Sequence, residues 1–379
     1  MVDKWLTCVN EDKLCGVLFV DFAKAFDCID HSLLLRKLKH YHIHSSTLLF
    51  LHSFVKDRQQ SVCLGKVTSS SAEITNGVPQ GSVLGPLLFS IYINDLPLYI
   101  SDADCEMFAD DTTLHTSNKK LKPLATSLQK TANELQVWSD LNHMSLHPQK
   151  TEIMIVTSRQ KRQNIPITLP SIQLGNQALT EVDNHKTLGV IIDNNLSWSK
   201  HIHNVSKQIS KKTYQLSRIK HFLNVHGRKT YFAAHIQSAI DYASTLWDSA
   251  SGNALKPLRS VYRRAIKAVL NKRKLLADDY KLHDILPLID RLKHNKIVLM
   301  SKIVNKTAPN TLKSSFCLNM SRSKCTFHVP IPRVDLFKTS LKYSGSLLWN
   351  KLPQNLRISK LKAFAFKKQT KRFLQNHPH

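Results

Sequence analysis

The chain has 379 residues, and 42% of its side chains are hydrophobic, which is enough for a folded core and excludes a chain that is disordered throughout. The net charge of +27 belongs to the second half, because residues 1–200 carry 19 Lys/Arg and 20 Asp/Glu whereas residues 201–379 carry 35 and 7. So steep an asymmetry predicts a polyanion-binding surface in the second half, for nucleic acid or for an anionic membrane.

Cysteine usage and hydropathy exclude several further classes of protein. The seven cysteines are scattered without a CxxC pair, so they favour neither a disulfide framework nor a zinc finger. Acids interrupt the apolar runs of the first thirty residues, and no apolar run reaches about 18 residues. We therefore expect no signal peptide, no membrane span and an intracellular location, nuclear or cytoplasmic.

The first hundred residues predict one buried strand followed by helices. Residues 14–22 form an apolar, β-rich run that contains Asp21, and a charge inside a buried strand is costly unless it is paired or bound to a metal. Helices are predicted over residues 32–41 and 47–56, and a small hairpin is predicted around the loop 69–71.

A glycine- and proline-rich loop follows at residues 77–86 and leads into an apolar helix over residues 87–93. Ser82 is a candidate cap of that helix. The loop is either an ordinary turn, in which Gln80 is merely exposed, or a shaped loop that lets the backbone approach a ligand closely.

Asp110 and Asp111 are predicted at the tip of a tight hairpin, because short β-tolerant runs flank them on both sides. Two adjacent carboxylates repel each other, and a divalent cation with hard oxygen ligands would remove the repulsion. The alternative is a solvated turn without a ligand.

The rest of the chain changes from amphipathic to strongly basic. A surface helix is predicted over residues 121–141, and strands over 151–157 and 188–193. The predicted basic helices cover residues 202–223, 231–243, 258–270 and 359–375, with a loop over 314–328.

Asp21 and Asp110 lie 89 residues apart in sequence, each on a predicted strand or its tip. If an α+β layer brings them together with Asp111, three carboxylates could hold two Mg²⁺ ions, with a basic second half to track a polyanionic strand. On chemistry alone the sequence predicts a metal-dependent nucleotidyl transferase or nuclease.

Several segments resemble, in order and at family spacing, the motifs of reverse transcriptases of non-LTR retrotransposons. Motifs A, B and C are resembled by VLFVDFAKAFDCIDHSLLLRKL, GVPQGSVLGPLLFSIYINDLP and FADDTTL. Motif D is resembled by NHMSLHPQKTEIMIV, and motif E with the start of the thumb by KTLGVIIDNNLSWSKHI. YRRAIKAVL, GSLLWNKLPQNLR and FKKQTKRFL resemble the C-terminal region of jockey-like elements.

The resemblance implies an α+β fold, namely a right-hand polymerase palm with an antiparallel sheet flanked by helices. An incomplete palm with motifs A to E would cover residues 1–200, a helical thumb 201–275, and a basic, mostly helical C-terminal region 276–379. The resemblance also implies a copy truncated at its 5′ end, without the fingers and endonuclease regions of the family.

The same resemblance implies a set of catalytic residues. Asp21, Asp110 and Asp111 correspond to the acids that bind two Mg²⁺ ions, with Mn²⁺ as the alternative ion. Lys150 matches the motif D lysine that protonates the leaving pyrophosphate.

Further positions correspond to binding residues of the family. Phe26 falls at the steric-gate position, where a ring selects deoxynucleotides, although the residue pattern alone favours a core phenylalanine. Asp27 and Asp30 are interpreted as charges at a helix N-terminus and not as metal ligands. The nucleotide-binding positions are Phe22 through its carbonyl, Lys24, Ala25, Phe26, Gln80 and Gly81, and the primer-grip positions are Leu188 and Gly189.

The implied function is an RNA-directed DNA polymerase that extends a primer 3′-end with dNTPs by two-metal nucleotidyl transfer. Its partners would be an RNA template and a DNA primer, with no membrane and no protein partner. The alternative is a truncated remnant that binds RNA or primer–template through its basic half with little or no polymerisation.

Overall fold

The computed structural model describes residues 1–164, 170–321, 325–358 and 361–377. The chain forms two compact units. The sheet unit comprises residues 12–188, and the helical unit comprises residues 1–11 together with 189–379. Strands and helices are mixed throughout, so the predicted α+β class is confirmed.

The regular elements alternate along the chain. The strands are β1 (Leu14–Val20), β2 (Arg58–Gln60), β3 (Cys63–Leu64), β4 (Val67–Thr68), β5 (Ala72–Ile74), β6 (Asp104–Phe108), β7 (Asp111–Asn118), β8 (Glu152–Val156), β9 (Gln173–Leu174), β10 (Gln177–Ala178), β11 (Thr180–Glu181), β12 (Asn184–Thr187), β13 (Val190–Asp193), β14 (Leu318–Met320) and β15 (Cys325–Phe327).

The α-helices are α1 (Val2–Asn10), α2 (His31–His40), α3 (Ser45–Val55), α4 (Gly85–Ile93), α5 (Leu96–Tyr99), α6 (Leu121–Leu141), α7 (Arg159–Asn164), α8 (Ser199–Ile219), α9 (Val225–Phe232), α10 (Ser238–Asp241), α11 (Ser244–Trp247), α12 (Gly252–Leu270), α13 (Ala277–Leu282), α14 (Leu288–Val304), α15 (Asn310–Lys313), α16 (Ser346–Asn350), α17 (Gln354–Arg357) and α18 (Ala363–Asn376). Short π-helical segments cover Ala233–Gln237 and Leu341–Gly345, and a 3₁₀ segment covers Asp335–Thr339.

The main sheet of the sheet unit has the strand order β11-β8-β1-β7-β6. Its strand pairs are antiparallel except for the parallel pair β8–β11. β1 pairs with β7 on one side and β8 on the other, and every one of its residues is buried. This central position explains its continuous apolar sequence, because a strand covered on both faces has no polar side.

Helix α6 covers the sheet at the point where β1 carries Gly16. A Cβ at Gly16 would lie only 2.7 Å from Cδ1 of Leu128, so the missing side chain allows close helix–strand approach. Leu18, Leu114 and Trp138 belong to the core on this side of the unit. The helix bounds 121–141 agree with the prediction.

Two loop predictions were wrong. The hairpin of residues 58–74 pairs β2 with β5 and β3 with β4, so its tip is Gly65-Lys66 and not the serine run 69–71. Gly65 has φ +63°, which glycine adopts without strain and serine does not. The predicted loop 314–328 contains the antiparallel pair β14–β15.

The helical unit has its own core, to which Ile297, Met300, Trp349 and Phe366 belong. Helix α1 is part of this unit, and Trp5 is fully buried in it. The basic helix predicted over 359–375 is α18, and positions 359 and 360 of that prediction lie outside the described residues. In the portion of the chain with described coordinates, we find no helix that combines the length and apolar character of a membrane span.

Candidate active site

The predicted acids lie at one end of two neighbouring strands. Val20 is opposite Thr112 in the β1–β7 pair, so the next step of this register places Asp21 opposite Asp111. Phe108 pairs with Asp111 across β6 and β7, which leaves Ala109 and Asp110 as a two-residue turn. The predicted hairpin with both acids at its tip is confirmed.

The donor chemistry of these residues suits a hard divalent cation, since all three side chains offer carboxylate oxygens. Asp110 and Asp111 are exposed and Asp21 is half-buried. Within residues 1–164, 170–321, 325–358 and 361–377, however, no three His, Cys, Asp or Glu side chains form a ready-made ligand cluster. The backbone register therefore fits a metal site, whereas the side chains are not gathered into one.

The backbone at Asp21 is fixed by the segment that leads into β8. The Asp21 amide donates to Oγ1 of Thr151 at 3.2 Å, and the Asp21 carbonyl accepts from the His147 amide at 2.8 Å. Lys150 is exposed and lies in the same turn, where its amide donates to the His147 carbonyl at 3.0 Å. The fold thus brings Lys150 into the segment that holds Asp21.

The turn after Asp21 separates buried from exposed positions. Phe22 is buried and makes an edge contact with Trp138, whereas Lys24 is exposed with φ +51° and Ala25 is buried again. Phe26 is half-buried, and its ring centroid lies 4.7 Å from that of Phe89. This is the contact of a core phenylalanine, and the steric-gate role of Phe26 stays a prediction.

The glycine-rich loop is bonded directly to this turn. The Gly77 amide donates to the Ile29 carbonyl at 2.7 Å, and the Val78 amide donates to the Phe26 carbonyl at 3.0 Å. Gly77 has φ +80°, and a Cβ there would lie 2.8 Å from the Cα of Asp27. Only glycine allows the two backbones to approach so closely.

Gln80 projects from the loop to Asp27, whose Oδ1 accepts from Gln80 Nε2 at 2.9 Å. The interpretation of Asp27 as a helix N-terminal charge was therefore wrong, because α2 begins only at His31. For Asp30 it is confirmed, since its carboxylate accepts from the Leu33 amide at 2.8 Å. Burial raises the pKa of Asp30, but the bonds from Leu33 and His143 bring that pKa below the ordinary value overall.

Sequence reasoning missed two side chains that hold the loop. The Gly77 carbonyl accepts from Nη2 of Arg58 at 2.5 Å and from Nε2 of buried His31 at 2.7 Å. Nε of Arg58 also donates to the Val55 carbonyl at 3.0 Å, and burial lowers the pKa of the guanidinium. Nothing in the local sequence around Arg58 signals this role, because its partner lies 19 residues away.

A groove of about 660 Å³ lies between the turn, the loop and the hairpin of residues 58–74. This volume is in the range of small-ligand sites. Two predicted nucleotide-binding residues, Lys24 and Gln80, line it together with Asp27 and Arg58. Gly81 follows directly, also with φ +80° but with open space around its Cβ position.

The primer-grip positions lie at the division between the units. Leu188 is the last residue of the sheet unit and Gly189 the first of the helical unit, with φ +46° and +78°. Their predicted role stays a prediction.

Comparison with known proteins agrees with this site. Residues 4–192 match the family described as reverse transcriptase (RNA-dependent DNA polymerase). The RNA-directed DNA polymerase from mobile element jockey of Drosophila melanogaster is 24% identical over 69% of this chain and 29% of its own length. The probable RNA-directed DNA polymerases of the X-element and BS transposons of the same species are 24% and 25% identical over 71% and 79% of this chain, and 30% and 35% of their own lengths.

A solved structure of telomerase from Candida albicans is 12% identical, with a TM-score of 0.34, over 83% of this chain and 52% of that chain. The chain spans only about a third of the length of the three transposon polymerases. The family match covers all three acids and the glycine-rich loop. The chain therefore belongs to the reverse transcriptase family, with jockey-like elements among its relatives.

Proposed function

We propose that this chain is an RNA-directed DNA polymerase of a non-LTR retrotransposon, which extends a primer 3′-end on an RNA template with dNTPs. The register that places Asp21 opposite Asp111, beside the turn with Asp110, carries the proposal. The palm lies within residues 1–200, the thumb within 201–275, and a basic C-terminal region within 276–379.

In this proposal Asp21, Asp110 and Asp111 hold divalent ions, Mg²⁺ or Mn²⁺, which supply charge compensation and activation of the primer hydroxyl when bound. Lys150, in the turn that fixes Asp21, gives a proton to the pyrophosphate. Leu188 and Gly189 contribute to the primer grip.

The nucleotide occupies the groove beside the glycine-rich loop. The backbone amides of Lys24 and Ala25 meet the triphosphate, with the Phe22 carbonyl toward the acids. Gln80, oriented by Asp27, and Gly81 contact the nucleotide and template. Phe26 excludes a ribose 2′-hydroxyl. Arg58 acts as a positioning residue, because its bond to the Gly77 carbonyl holds the loop in place.

The test is primer extension on an RNA template with Mg²⁺ and dNTPs. Asp110→Asn keeps the side-chain shape and removes the charge, so we expect extension to fall by about 100-fold or more. Asp140→Asn, an exposed acid on α6, is the matched control and should extend normally. Extension that is equal in the two variants would refute the assignment of Asp110.

A second candidate function, nucleic-acid binding without polymerisation, is favoured by a groove in the helical unit. This groove of about 410 Å³ lies between α8 and α12, two helices whose sequences contain no acid. Its walls carry Lys220, Arg264, Lys267 and Lys272. Tyr214, which also lines it, is 67% exposed and offers a ring on which a base can stack.

The acids of this unit compensate little of the charge in the groove. Lys272 pairs with Asp279 across the loop after α12. Further ion pairs use the acids elsewhere, namely Asp241–Arg291, Asp248–Lys296, Asp284–Lys371 and Asp335–Lys338. A phosphate backbone would neutralise the remaining cations and release their counterions.

This candidate is tested by RNA binding at several salt concentrations. Arg264→Ala with Lys267→Ala should weaken binding and reduce the slope of log K against log salt by about 0.7 for each lost contact to a single strand. Lys302→Ala with Lys306→Ala, an equally charged change at exposed positions, is the control. RNA binding together with absent extension in the unmodified chain would favour this candidate over the polymerase.

A further inference from the structure

The helical unit contains a second, smaller pocket of about 280 Å³, bordered by α14, α16 and the π-helical segment before α16. None of the residues that line it belongs to the α8–α12 groove or to the acids of the sheet unit. Its lining combines cationic and apolar side chains, and each kind restricts the ligand in a different way.

One wall is fixed by a buried ion pair. Lys296 and Asp248 are almost fully buried, and Nζ of Lys296 lies 2.7 Å from the Asp248 carboxylate. The same Nζ donates to Oγ of Ser249 at 2.9 Å and of Ser344 at 2.7 Å. The ammonium is thus saturated, and the pair is neutral as a unit, so this wall shapes the pocket without attracting an anion.

The positive charge comes from three other lysines, Lys293, Lys338 and Lys351. Burial lowers the pKa of Lys293, Asp290 opposes this, and the nearby charge of Lys351 lowers the pKa further. Two ammonium groups that repel each other are stabilised when an anion binds between them. Lys338 is partly neutralised by an exposed pair with Asp335 at 2.7 Å.

The rest of the pocket is apolar. Leu292 is buried, Leu348 is half-buried, and Leu347 remains 36% exposed. Tyr343 adds an aromatic side chain to the lining. An inorganic anion would leave this surface unused, whereas a ligand with a flat, weakly polar body beside its anionic group would cover it.

We propose that this pocket binds a nucleoside phosphate, with the phosphate between Lys293 and Lys351 and the base against Leu292, Leu347 and Leu348. The ligand is either a free nucleotide or one nucleotide of a strand, since both present the same group. The site goes beyond the polymerase reaction, because it uses neither the acids nor the nucleotide groove of the sheet unit.

The experiment is a calorimetric titration of the full chain with AMP, adenosine, inorganic phosphate and a short single-stranded RNA. Lys293→Ala with Lys351→Ala should weaken AMP binding by about tenfold or more, as expected when bonds to a charged group are lost. Lys302→Ala with Lys306→Ala matches the charge change and should leave AMP binding unchanged. Leu347→Glu, at a partly exposed position, should repel the phosphate without removing a lysine.

The outcomes separate the sources and the proposals. AMP should bind more tightly than adenosine or phosphate, and RNA that binds while AMP does not would assign the site to a strand, provided that the lysine pair variant loses RNA. Equal losses in the two double variants, or AMP no tighter than phosphate, would overturn the proposal. The titration is repeated in Asp110→Asn, so a failed polymerase assay does not affect its result.

Discussion

Gly77→Ala is the most direct test of how the glycine-rich loop is held. The new Cβ would lie 2.8 Å from the Cα and 2.9 Å from the carbonyl oxygen of Asp27, and 3.0 Å from the carbonyl oxygen of Phe26. All three neighbours are backbone atoms, so no side-chain rotation can relieve the contacts. The loop must move away from the turn after Asp21, and the bond from Gln80 to Asp27 is expected to break.

The magnitude has two parts. Holding a non-glycine residue at φ +80° costs about 1–3 kcal/mol. Displacing packed backbone to make room for a methyl group costs about 1–3 kcal/mol more. We expect the free energy of unfolding to fall by about 2–6 kcal/mol in Gly77→Ala.

Gly81→Ala separates these two parts. Gly81 has the same φ of +80°, but nothing lies within 4 Å of its Cβ position, so only the conformational cost of about 1–3 kcal/mol applies. Urea denaturation of both variants measures the difference, and primer extension of both reports on the loop. Equal destabilisation by the two substitutions would refute the reasoning, because the backbone contacts at Gly77 would then contribute nothing.

Three further predictions concern the sheet unit. Lys37→Ala removes the partner of Asp95, which lies 2.8 Å from the largely buried ammonium, and should lower the free energy of unfolding by about 2–4 kcal/mol; the exposed Lys39→Ala should change it little, and equal effects in urea denaturation would contradict this. Asp30→Ala should cost about 1 kcal/mol at pH 7 through loss of the cap of α2. Because the folded pKa of Asp30 is lowered, this contribution is present above the ordinary value of 3.8 and is lost as the pH falls below it, so thermal unfolding of the two proteins should converge in acid. Phe26→Val should raise incorporation of ribonucleotides relative to deoxynucleotides, and an unchanged ratio would leave Phe26 as a core residue only.

The local parts of the fold could be predicted from the sequence. β1 was identified because a strand buried on both faces is apolar throughout, and the β6–β7 hairpin because β-tolerant runs flank two residues that suit a turn. The helix over residues 121–141 was identified from its amphipathic period. Each of these signals lies within about twenty residues of sequence.

The support of the candidate site could not be predicted, because it depends on pairs of distant residues. The bonds from His31 and Arg58 to the Gly77 carbonyl join segments 46 and 19 residues apart, and neither side chain belongs to a recognisable pattern. The bond from Gln80 to Asp27 similarly joins two loops. Such contacts follow from the folded backbone, whereas sequence periodicity reports only which face of an element is buried.

Helix α1 has a consequence for the order of folding during synthesis. Its Asp3 carboxylate accepts from the amides of Leu341 and Lys342, and the first of these bonds spans 338 residues. At ribosomal rates of about 5–20 residues per second, roughly 20–70 s pass between synthesis of the two partners. A helix of nine residues is not stable alone in water, so during this time Trp5 has no partner core to enter.

The helical unit can therefore close only after most of the chain has been made, whereas the continuous sheet unit, residues 12–188, can fold earlier. A bulky fusion placed directly before Val2, or deletion of residues 2–10, should thus destabilise the unit that contains the far end of the sequence and leave the sheet unit beside it folded.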